Sequence, residues 1–114
     1  MAYKYEYQLQ EATARYLDAM GLLWCHVANE RKTRKISGFR LKKAGVKSGV
    51  PDCLIFEPSG QHCGLAIELK VGYNKPSPQQ IQFMLDLEKN GWKTTVCYDL
   101  DCVIETVAEY FKPT

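Results

Sequence analysis

GVPDCLIFEPSGQHCGLAIELK, residues 49–70, reads as two short apolar runs around a turn. The runs Cys53–Phe56 and Gly64–Lys70 have strand-forming composition. Between them lies Glu57-Pro58-Ser59-Gly60, a turn signal in which proline presets φ and glycine tolerates tight backbone geometry. A hairpin centred on residue 60 pairs position n with position 120 − n (twice 60, less n), which sets Asp52 opposite Glu68. Directly opposed residues share a face, with Cβ atoms about 5 Å apart. Lys70, two positions beyond Glu68, projects to that same face. Two carboxylates and an ammonium are therefore predicted to converge at one end of the hairpin. Carboxylates that close repel unless a cation lies between them, which points to a divalent metal site.

On the N-terminal side, Leu9, Ala12, Tyr16 and Met20, joined by Thr13 and Leu17, recur at helical spacing. The spacing predicts an amphipathic helix from Tyr5 to Met20, stopped by Gly21. Leu22–Val27 reads as a first strand. Gly38, Gly45 and Gly49 interrupt Glu30–Ser48, which reads as a loop with a short helical turn.

On the C-terminal side, Ser77 at the N-cap, Pro78 at the first helical position and Gln80 three residues after the cap open a helix that runs to Asn90. Its expected stripe is Ile81, Met84, Leu85 and Glu88, with Phe83 and Leu87 beside it, and Gly91 ends it. Trp92–Tyr98 is a β-branched strand. The path from Leu65–Val71 through this helix to Lys93–Tyr98 is a right-handed crossover between parallel strands. Leu100, Val103, Ile104, Val107 and Phe111 mark a last helix. The sum is one α/β domain over residues 1–114, in the order α-β-β-β-α-β-α, with a mixed central sheet flanked by helices.

A chain of 114 residues is expected to bury one modest core. With 46% hydrophobic and 25% charged residues it has the composition of a soluble globular protein. No apolar run is long enough to span a membrane, and no charged-then-apolar leader opens the chain, so a cytoplasmic protein without a membrane partner is expected. The five cysteines are odd in number and lack CxxC pairing, which argues against a disulfide framework or zinc site. Cys25, Cys53 and Cys97 lie in apolar strand-like runs, where cysteine behaves as a small hydrophobe.

The net charge of +2 hides an uneven distribution. Eight of the fifteen lysines and arginines fall between Arg31 and Lys47, with no acid among them. A charge run is usually a solvated loop, but one this lopsided, leading into a carboxylate cluster, favours a polyanion, nucleic acid above all. Arg31, Lys32, Arg34, Lys35, Lys42, Lys43 and Lys47 are the expected phosphate contacts. Lys75, after the flexible Gly72, is a further one at the cleft edge.

Asp52, Glu68 and the main-chain carbonyl of Leu69 offer the hard oxygen ligands that Mg²⁺ or Mn²⁺ favour. Lys70 beside them can orient an attacking water or neutralise phosphate charge; the adjacent carboxylates keep it protonated, which argues against a role as base. The plainer reading is an exposed Glu–Lys pair on a strand, with Asp52 as a turn residue after proline. His26 and His62 are expected to serve packing or lie exposed. Tyr3, Tyr5 and Tyr7 could stack on bases or serve a core or dimer interface.

Pro51-Asp52 followed by Glu68-Leu69-Lys70 resembles the PD-(D/E)xK nuclease signature. The wider set is similar to the virus-type replication-repair nuclease (VRR-NUC) branch. That set comprises Asn29-Glu30-Arg31-Lys32, the run Lys43 to Asp52, Ile67-Glu68-Leu69-Lys70 and Lys75-Pro76-Ser77-Pro78-Gln79-Gln80, in the family's order and spacing over about residues 5–98.

The resemblance implies a restriction-endonuclease-like core, a divalent metal and phosphodiester hydrolysis in DNA. By position, Glu30 matches an acidic residue ahead of the PD motif, Asp52 and Glu68 the metal ligands, Lys70 the catalytic lysine and Gln80 a glutamine near the active site. Glu6 and Glu11, one on each side of the first helix's stripe, are alternatives for the additional acid. Gln80 also has the simpler task of closing a capping box with Ser77. Short stand-alone members resemble homodimeric Holliday-junction resolvases, often of phage or prophage origin, which implies branched or junction DNA and a homodimer. A restriction-type endonuclease on duplex DNA and a catalytically silent nucleic-acid-binding module are the alternatives.

Overall fold

The computed structural model describes residues 3–28, 40 and 42–113. Seven elements follow one another: α1 (Glu6–Ala19), β1 (Trp24–His26), β2 (Cys53–Ile55), β3 (Gly64–Leu69), α2 (Pro78–Lys89), β4 (Trp92–Cys97) and α3 (Leu100–Tyr110). This is the expected α/β order. The strands form one mixed sheet in the order β1-β2-β3-β4. The β1–β2 and β2–β3 pairs are antiparallel, and the β3–β4 pair, joined through α2, is parallel.

The hairpin has the register expected of it. Cys53 pairs with Ile67, Leu54 with Ala66 and Ile55 with Leu65, each pair summing to 120. At the tip the pairing shifts by one, Ser59 bridging His62 across Gly60 and Gln61. Gly60 takes φ +58 there, a left-handed conformation that glycine adopts without steric cost. Cys63 then leaves the hairpin and donates its N–H to Gly91 O.

All six residues of β3 are buried, as befits a strand covered on both faces. Alternation sorts its side chains. Leu65, Ile67 and Leu69 join Leu9 and Leu17 of α1, Cys53 and Ile55 of β2, and Val103, Val107 and Tyr110 of α3 in one apolar cluster. Each large side chain so buried contributes about 1.5–3 kcal/mol. Ala66 and Glu68 alternate onto the other face, towards α2.

Both later helices start on side-chain caps. Ser77 Oγ accepts from Gln80 N–H, and Asp99 Oδ1 accepts from Cys102 N–H. Tyr110 latches α3 onto the hairpin turn: its hydroxyl donates to Glu57 O, and Ser59 Oγ donates to Tyr110 O, both at 2.7 Å.

Three expectations need correction. In α2, Met84 is the buried residue, with Phe83 and Leu87 half-buried, whereas Ile81 and Leu85 are each 47% exposed. The helix packs on β4 and buries a narrower face than its apolar spacing suggests. In α3, Ile104 is exposed and Tyr110 takes a place in the core. Cys25 is exposed on the edge strand β1, unlike the buried Cys53 and Cys97, because no described residue covers β1 there.

Of the basic tract, residues 31–39 and 41 lie outside the described residues, with Arg31, Lys32, Arg34 and Lys35 among them; so does Glu30. The described part is helical at residues 40, 42 and 43 and closes with Ala44 N–H donating to Arg40 O, the short turn that was expected.

Candidate active site

A cleft of about 260 Å³ opens at one end of the sheet, lined by Glu6, Tyr7 and Gln10 of α1, His26 of β1, Asp52, Glu68, Leu69 and Gln80. Its floor is the hairpin end to which the register assigns the two carboxylates. Asp52, one residue before β2, sends Oδ2 across to accept the Leu69 N–H at 2.8 Å. Its main-chain oxygen accepts from Val27 N–H at 2.8 Å, which ties it to the end of β1.

Glu68 is buried to 1% exposure on the central strand. Its Oε2 accepts from Gln80 Nε2 at 3.0 Å and lies 3.5 Å from Lys70 Nζ. Its Oε1 is buried without a partner among the described residues. Burial, then the neighbouring Asp52 carboxylate, pushes Glu68 up to about 8, and Lys70 offsets this in part. A buried anion in contact with a second anion is destabilised, and protonation or a bound cation relieves it.

Gln80 closes the capping box and also reaches a cleft carboxylate. Its Oε1 accepts from Ser77 N–H at 2.8 Å while its Nε2 holds Glu68. One side chain thus caps α2 and fixes a cleft carboxylate. The loop before Asp52 reaches this helix start through Gly49, which has φ +86. A Cβ there would sit 2.5 Å from Gln79 O, so only glycine lets the two backbones approach. Pro51, fully buried, anchors the loop.

Asp52, Glu68, Leu69, Lys70 and Gln80 therefore come together. Lys42, Lys43, Lys47 and Lys75 are exposed on the segments leading to Gly49 and to Ser77, which meet at the start of α2. Glu6 lines the cleft, whereas Glu11 is exposed and does not.

Sequence reasoning missed Gln10 and the position of His26. The histidine is exposed, yet its Nδ1 lies 2.8 Å from Asp52 O. A carbonyl can only accept, so Nδ1–H is the donor in this contact. The β1–β2 register, which sets His26 opposite Cys53, would have revealed this, but the intervening loop conceals it from local reading. His62 is exposed on the hairpin tip, away from the cleft.

The donor set fits a hard divalent cation. Two converging carboxylates, a buried carboxylate oxygen without a partner among the described residues and a carboxyl shifted up by burial and then by its anionic neighbour are the marks of a place where positive charge belongs. Among the described residues no group of three His, Cys, Asp or Glu gathers as a ligand cluster. Mg²⁺ commonly binds through one or two carboxylates and completes its shell with carbonyls or water.

Among protein-family models, the VRR-NUC domain matches residues 4–99. Among solved structures, a VRR_NUC domain protein superimposes with a TM-score of 0.73, covering 96% of this chain and 90% of its own at 24% identity. That likeness bears on the fold. No curated protein sequence matches the chain.

Proposed function

We propose that this chain, which belongs to the VRR-NUC domain family over residues 4–99, is a divalent-metal-dependent endonuclease that hydrolyses phosphodiester bonds in DNA. The observation that carries the reading is the convergence of Asp52 and the buried Glu68 on one cleft, with Lys70 Nζ 3.5 Å from Glu68 and a Glu68 oxygen left without a partner among the described residues.

Asp52, Glu68 and the Leu69 carbonyl are the groups to hold Mg²⁺ or Mn²⁺. When bound, such an ion supplies Lewis-acid stabilisation of charge on the phosphoryl oxygens and favours ionisation of water. Lys70 Nζ, 3.5 Å from Glu68, neutralises charge on the phosphate and orients the attacking water. Gln80 acts through Glu68 as a positioning residue, locking its Oε2 against the α2 start. Glu6 at the cleft wall and Glu30 are the two acids available for a further proton-transfer or ligand role. Lys42, Lys43, Lys47 and Lys75, with the arginines and lysines from Arg31 to Lys35, hold the DNA backbone.

The finer reading is a homodimeric, structure-specific nuclease acting on branched or junction DNA. Its support is the family resemblance, whose short members are similar to homodimeric junction resolvases, and the argument that a domain with one such cleft needs a partner copy to cut two strands at once. A catalytically silent DNA-binding module is disfavoured because Asp52, Glu68 and Lys70 are all present and adjacent. The test is cleavage of four-way, flap, fork and plain duplex DNA with Mg²⁺ and with EDTA. Metal-dependent nicking, strongest on the four-way junction, is expected. Equal cutting of all substrates would sink the structure preference, and no cutting with any metal would sink the nuclease reading.

A further inference from the structure

Of the three tyrosines near the N-terminus, Tyr3 packs against the core cluster. Tyr5 and Tyr7 do not: they are 48% and 60% exposed. Their rings instead stack on each other, with centroids 5.7 Å apart and planes 18° from parallel. The Lys4 ammonium sits 5.4 Å from the Tyr5 ring centroid. Tyr7 lines the same cleft as Asp52 and Glu68. An exposed aromatic pair held beside a cation, with Tyr7 on the wall of the cleft, matches a nucleotide in two respects. A ring face takes the base, and the ammonium takes the phosphodiester. An apolar protein surface would satisfy the rings but strand the ammonium.

We propose that Tyr5 and Tyr7 form a stacking platform for an unpaired nucleobase of DNA, placing the nucleotide next to the Asp52–Glu68 cleft. This rests on the nuclease reading and narrows its substrate. A base inside a duplex is already stacked on both sides, so only a base freed at a branch point, fork or single-stranded arm can occupy the platform. Stacking is tolerant of base identity, so the platform selects structure rather than sequence.

The experiment measures fluorescence anisotropy of labelled single-stranded, forked and blunt duplex oligonucleotides of matched length, with EDTA present so that no strand is cut. The wild-type chain is compared with Tyr5→Ala, Tyr7→Ala and Tyr7→Phe. Each alanine variant is expected to bind the single strand and the fork roughly five- to hundredfold more weakly, the span that loss of one base stack implies. Binding of the blunt duplex should change by less than about twofold, and Tyr7→Phe, which keeps the ring, should bind like the wild type. Unchanged binding of the fork by both alanine variants overturns the platform. So does equal weakening on all three ligands, and so does a change in molecular mass by light scattering with DNA affinity preserved, which would assign the tyrosines to an interface between copies. A wild type that binds and cleaves DNA alongside variants that bind normally removes the platform alone. A wild type that binds none of the three ligands removes the nuclease reading with it.

Discussion

Gln80 Nε2 lies 3.0 Å from Oε2 of Glu68, the same oxygen that faces Lys70 at 3.5 Å. The first turn of α2 and the central strand thus hold the cleft carboxylate from two sides. Hydrogen-bonding partners that orient a metal ligand typically govern metal affinity by roughly 10- to 100-fold. Gln80→Ala is expected to raise the Mn²⁺ concentration needed for half-maximal cleavage by about that factor, and to weaken Mn²⁺ binding measured directly by calorimetry. High Mn²⁺ should restore much of the rate. An unaltered metal requirement would assign Gln80 to capping alone.

Asp52→Ala and Lys70→Ala separate catalysis from binding. Each is expected to lower the cleavage rate by roughly hundredfold or more, the usual effect of removing a group that stabilises transition-state charge, while DNA affinity in EDTA stays close to wild type. If either variant cuts at the wild-type rate, the site has been misassigned.

Burial and the Asp52 carboxylate raise Glu68 from an ordinary 4.5 to about 8 in the folded protein. With metal chelated, the folded chain therefore holds a proton that the unfolded chain releases over that interval. The stability this group contributes is complete below about 4.5 and is lost as pH rises through about 8. In EDTA the wild-type Tm should fall between about pH 5 and about pH 8.5 more steeply than that of Glu68→Gln, which cannot ionise. Mg²⁺ or Mn²⁺ should lift the wild-type Tm at the upper end and leave the variant unmoved. Parallel profiles for the two proteins, with and without metal, would contradict both the shift and the metal site.

Gly49 takes φ +86 with room for no Cβ against Gln79 O. Gly49→Ala should cost on the order of 1–3 kcal/mol, from left-handed strain and the forced separation of the two backbones. Thermal unfolding measures the loss, and cleavage below the new Tm should also fall because Asp52 and Gln80 move apart. A variant as stable and as active as wild type would show that the loop relaxes freely.

Neutralising Arg31, Lys32, Arg34 and Lys35 together is expected to weaken DNA binding and flatten its salt dependence. The slope of log K against log[salt] should become shallower by about 0.9 for each phosphate that the variant no longer neutralises. An unchanged slope would place the phosphate-binding groups elsewhere, with Lys42, Lys43, Lys47 and Lys75 the next to test.

The hairpin was legible because its pairing is local. The turn at residues 57–60 and the alternation on either side leave a single register that buries Ile55, Leu65 and Ile67 while bringing Asp52 beside Glu68. The cap at Ser77 and the β3-α2-β4 parallel connection are written in short stretches too. The walls of the cleft are another matter. Glu6 and Glu11 are equivalent in the α1 pattern, and only the angle at which α1 docks puts Glu6 in the cleft and leaves Glu11 outside. His26 comes to Asp52, 26 positions further along the chain, through the pairing of β1 with β2. Ile81, Leu85 and Tyr110 show the same rule from the side of packing, since periodicity names an apolar face but cannot say whether a neighbour arrives to cover it. Residues near in the chain carry the carboxylate pair and its lysine. The company those groups keep comes from distant segments, because long-range burial, and not local propensity, sets where the helices rest.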